Sequence, residues 1–63
     1  MQAQNTQEFY VKKALVDTQE RIRDYMNYSD QCTDSNIKQC FRNFAETEGH
    51  HAKELQNFIG NFK

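Results

Sequence analysis

The sequence predicts an all-α protein, an antiparallel two-helix hairpin that pairs with a second copy of itself into a four-helix bundle. Three observations lead there. The 63 residues contain no Pro and only two Gly, at positions 49 and 60, in a composition favourable to helix. A single cluster of turn-formers, Ser29-Asp30-Gln31-Cys32-Thr33-Asp34-Ser35-Asn36, lies near the middle of the chain. On both sides of it apolar residues recur at helical spacing. A chain of 7.5 kDa holds one domain, residues 1–63, and leaves no room for a large enclosed active site.

Helix one is expected over about residues 6–29. Its apolar face runs through Val11, Ala14, Leu15, Thr18, Ile22, Tyr25, Met26 and Ser29, with the polar Thr18 at its centre. The turn falls at about 30–35, where Asp34 or Ser35 can accept hydrogen bonds from the free N–H groups that open the next helix. Helix two is expected over about 36–60, with Gly60 suited to its C-terminal cap and Asn61 to Lys63 as a fraying end.

At about 100° per residue, helix two gathers Ile37, Cys40, Phe41, Phe44, Leu55, Phe58, Ile59 and Phe62 on one face. Positions 37, 41, 44, 48, 51, 55, 58 and 62 form an unbroken four-three alternation, and its two middle members are Glu48 and His51. A carboxylate in an apolar seam must be protonated, paired or bound to a cation. With the turn near Thr33 and Asp34, Thr18 on helix one falls at the same depth as Glu48 and His51, roughly 22 Å from the turn. One hairpin cannot cover both apolar faces, so a homodimer or a larger assembly of dimers is expected, with two Glu48 and two His51 converging.

Glu48-Gly49-His50-His51 has the Glu-x-x-His spacing that places a carboxylate and an imidazole on adjacent helical turns, where one metal ion can take both. Two readings fit it: a divalent-metal site, or a buried Glu48–His51 ion pair that fixes specificity. His50 points away from the seam and is expected in solvent. Asp17, Glu20 and Asp24 make an acidic stripe that reads as a solvated face next to Arg21 and Arg23, or as a weak cation-gathering site. Tyr25 belongs to the core and its hydroxyl could reach a metal-bound carboxylate. Gly49 within a helix indicates close helix approach, a local bulge or simple tolerance. Cys32 and Cys40, eight apart, fit neither a zinc knuckle nor a disulfide scaffold, which makes a reduced cytoplasmic protein the expectation.

The stretch from Phe41 to Leu55, FRNFAETEGHHAKEL, resembles the second helix of rubrerythrins and other ferritin-like proteins, which carries a Glu-x-x-His-Ala signature in an apolar heptad. Tyr25 and the Cys32-to-Ile37 turn resemble the compact two-helix encapsulated ferritins, and the similarity spans about residues 14–60. The resemblance implies a di-iron site built from a helix-one glutamate plus the Glu-x-x-His pair, with two chains supplying the full set. Glu48 and His51 match the pair. The helix-one glutamate would fall at Thr18, with Glu20 about 160° away on the helix wheel and Asp17 and Glu20 only flanking. Two Glu48 and two His51 suffice for one ion, iron or zinc, so the missing carboxylate speaks against ferroxidase activity.

The implied role is iron binding or storage, with a protein-shell host as a possible partner; the alternative is a non-catalytic, spore-coat-like helical bundle without a working metal site. Eight basic against nine acidic residues, dispersed along the chain, give no electrostatic grip on nucleic acid or anionic lipid. The longest apolar run, Ala14-Leu15-Val16, and the polar N-terminal stretch MQAQNTQE lead to the expectation of neither a membrane span nor a secretory signal.

Overall fold

The computed structural model describes residues 3–62, with side chains from position 6 onward. Two helices, α1 (Ala3–Gln31) and α2 (Ser35–Ile59), pack against each other along their length, joined by Cys32, Thr33 and Asp34. Both helices extend further toward the turn than expected, α1 through Asp30 and Gln31 and α2 from Ser35. Ser29 is fully buried: its hydroxyl donates to the Lys38 carbonyl (3.2 Å) and accepts from Arg42 Nε (3.1 Å), a cross-helix clamp just before the turn. Asp34 is the N-cap of α2, accepting from the N–H groups of Asn36 (2.8 Å) and Ile37 (3.0 Å). Asp34→Ala should therefore cost about 1 kcal/mol in a chemical denaturation series. Unchanged stability would show that the turn is held by the Ser29 clamp alone.

Gly60 caps α2 at φ −63°, so its freedom to adopt positive φ is not used. Lys63, part of the expected fraying end, lies outside the described residues. Both cysteines are free, Cys32 half-buried and Cys40 exposed.

The face that α2 turns toward α1 is rotated from the large apolar side chains toward small ones. Ala45 and Ala52 are its buried members, and the buried residues of α1 are the hydroxyl-bearing Thr18 and Ser29. Small side chains let two helix backbones approach closely, which favours them at the centre of the contact over Phe44 or Phe58. Phe41, Leu55 and Ile59 are half-buried at its edge, whereas Ile37, Phe44 and Phe58 are exposed. Gly49 is not required by close approach within the chain, since a Cβ built there meets nothing within 4 Å. Gly49→Ala should stabilise the protein by about 1 kcal/mol through helix propensity. A loss of stability would mean that another chain packs on this residue.

The hairpin has two unlike sides. Tyr25, Tyr28, Phe41 and Phe44 form a continuous ring cluster on one, with centroids 5.4 Å apart for Tyr28–Phe41 and 5.5 Å for Tyr25–Phe44. The helical repeat places Ile37, Leu55 and Phe58 on this same side of α2, and Phe62, expected there too, lies beyond the end of the helix. On the opposite side a shallow groove is lined by Met26 and Ala45 together with Gln39, Arg42, Asn43 and Glu46, with no aromatic ring.

Candidate functional site

Glu48 sits at the middle of the aromatic side, in a groove it shares with Tyr25, Phe44 and Thr47. Its side chain is only 16% exposed, so its charge needs a partner. Arg21 supplies one from α1: Nε donates to Glu48 Oε1 at 3.1 Å, and Nη2 of the same guanidinium donates to Thr18 Oγ1, also at 3.1 Å. The helical offset of three residues stacks Arg21 over Thr18, so one planar fork ties the buried hydroxyl of α1 to the carboxylate of α2. Thr18, 2% exposed, and Glu48 thereby occupy one polar layer.

His51 lies one turn beyond Glu48, with Nδ1 3.5 Å from Oε2, and its side chain is 54% exposed toward the open aromatic side. Glu48 thus directs one oxygen to Arg21 and the other toward His51. Tyr25 borders the same groove. Asp17 is not part of the layer; it pairs with Lys13 at 3.1 Å on the surface. Glu20 and His50 are exposed. In the acidic stripe Asp17 is held by this i,i+4 pair, which contributes little at an exposed position.

Arg21 is the member of this layer that sequence reasoning placed elsewhere, on the solvated face beside the acidic stripe. A signal existed: Arg21 is one turn from Thr18, and a long side chain at the edge of an apolar face can lay its stem along that face and reach across.

One chain brings one carboxylate and one imidazole, and among the described residues no group of three or more His, Cys, Asp or Glu side chains converges. Thr18 brings a hydroxyl to the layer, and the Arg21 guanidinium faces Glu48. No protein-family model, curated protein or solved structure matches this chain. Among the described residues no helix is long and apolar enough to cross a membrane.

Proposed function

We propose that this chain is the structural protomer of a homomeric four-helix bundle of ferritin-like architecture, in which two hairpins close their aromatic sides on each other. One observation carries the reading: the ring cluster of Tyr25, Tyr28, Phe41 and Phe44 leaves an open apolar side on the hairpin, while the buried residues between the two helices are the small Thr18, Ser29, Ala45 and Ala52. The areas agree. The chain exposes 5018 Å², whereas a compact monomer of this mass exposes about 4,200 Å². The excess of roughly 800 Å² is one partner's share of a standard stable interface. Its radius of gyration, 14.8 Å against about 10.6 Å for a compact chain of this length, reflects an elongated hairpin with long open sides. In this assembly the Thr18–Arg21–Glu48 layer fixes register, because any slip leaves a charge in an apolar interface. Sedimentation should give twice the chain mass or a multiple of it, and a folded monomer at micromolar concentration would defeat the proposal.

A second reading is supported by the Glu48–His51 pair on the open side. Two chains together would present two carboxylates and two imidazoles, a four-ligand set for one divalent ion such as iron or zinc. Iron binding as cargo of a protein shell belongs to this reading. Ferroxidase activity has less support, since Thr18 brings no carboxylate. Metal analysis of protein purified without chelator separates the two: one ion per two chains, removed by chelator and lost in His51→Ala, selects the second.

A further inference from the structure

We propose that Arg21 stands in for a metal ion: its guanidinium is the cation of the central layer, and it keeps a latent divalent-metal site at Glu48 and His51 closed. Glu48 is the only carboxylate of the layer and must be balanced by a positive charge. Arg21 meets that need at 3.1 Å while its other nitrogen is held by Thr18, so the fork is anchored at both ends. A helix-one carboxylate would attract a metal; a helix-one hydroxyl followed one turn later by an arginine builds a cation into the chain instead. A divalent ion could ligate Glu48 only beside a fixed positive charge, or by expelling it. Arg21 is 49% exposed, so it can be expelled without unfolding the hairpin, which makes the exclusion a competition. His51 Nδ1, 3.5 Å from Glu48 Oε2, is the donor that an entering ion would find next. The ion class is a borderline divalent metal with one oxygen and one nitrogen donor from each chain. The inference rests on the two-copy assembly for its full ligand set.

Cobalt(II) is a suitable probe, because its visible absorption reports a tetrahedral nitrogen and oxygen environment and its binding can be followed by melting temperature. The proteins are wild type, Arg21→Gln, Arg21→Met and the double variant Arg21→Gln/His51→Ala, each with its mass measured by sedimentation. Wild type should show little cobalt absorption and an unchanged melting temperature. Arg21→Gln should melt lower without metal, bind cobalt at least about tenfold more tightly than wild type, and recover its melting temperature when one ion is bound per two chains. The double variant should not respond.

Arg21→Met, which keeps an apolar stem over the helix contact, should behave as Arg21→Gln does. If either variant is unfolded without metal, refolding on cobalt is the expected outcome. Failure of both to bind cobalt overturns the proposal, as does wild-type binding through His51 within about threefold of Arg21→Gln. A monomeric wild type would overturn the assembly reading and the four-ligand site with it, whereas a dimer whose Arg21 variants bind no cobalt would overturn the role of Arg21 alone.

Discussion

Phe44→Asp should leave the protein a largely unfolded monomer at micromolar concentration. Phe44 packs edge-on to Tyr25 at 5.5 Å and to Phe41 at 6.3 Å, yet remains 46% exposed, so much of its surface is available to a second chain. Burying a Phe is worth about 1.5–3 kcal/mol, and placing a carboxylate in the same interface costs more than losing that amount. In a twofold-symmetric assembly each substitution is counted twice. The hairpin has little to fall back on, because its buried centre consists of Ala45, Ala52, Thr18 and Ser29. Three buried methyl groups and two hydroxyls, edged by half-buried side chains such as Leu15, Ile22 and Leu55, do not offset the chain entropy of folding, so dissociation and unfolding should be one event. The wild-type melting temperature should accordingly rise with protein concentration. Met26→Asp is the control, since Met26 is 39% exposed beside Arg42 on the opposite side and should tolerate the charge. Sedimentation and circular dichroism on both variants decide: a dissociated Met26→Asp beside an intact Phe44→Asp would place the interface on the other side.

The hairpin was legible because two signals agreed, the absence of Pro and the one cluster of turn residues, and Asp34 caps α2 as its side chain allows. The rotation of α2 was not. Hydropathy patterns weight Phe44 and Phe58, whereas the contact within one hairpin selects Ala45 and Ala52, whose value lies in being small. The large apolar residues mark a surface that a second chain can cover. Glu48 stood out as a carboxylate in an apolar seam, and that signal is sound: its side chain is mostly buried and paired. Its counter-charge was hidden because Arg21 lies 27 residues away in sequence, and its reach across to α2 depends on the rotation of α1. A resemblance in the Glu-x-x-His helix directs attention to metal; only the placement of Arg21 beside Thr18 shows that the chain carries a cation of its own.

Thr18→Glu should be the most damaging single change on α1 without metal, and the most informative with it. Thr18 is 2% exposed, so a carboxylate there is taken out of water and shares the Arg21 guanidinium with Glu48. One cation cannot balance two buried anions, and the uncompensated charge should cost several kcal/mol, enough to unfold a small assembly. Adding Arg21→Gln removes even that cation, leaving two carboxylates and His51 per chain at one depth. Two chains would then hold four carboxylates and two imidazoles, the composition of a ferritin-like di-iron centre. The double variant should be unfolded with chelator and fold on addition of ferrous iron or cobalt, with two ions per dimer by calorimetry. It should stay unfolded with magnesium, which dehydrates reluctantly and prefers oxygen ligands. Thr18→Glu alone should bind metal more weakly than the double variant, because Arg21 still competes. A stoichiometry of one ion per dimer in the double variant would show that position 18 does not reach the metals brought by Glu48 and His51. The shared polar layer would then hold within a hairpin but not across the bundle. If Thr18→Glu is as stable as wild type in chelator, the side chain escapes to solvent, and the two helices are held together by the aromatic side alone.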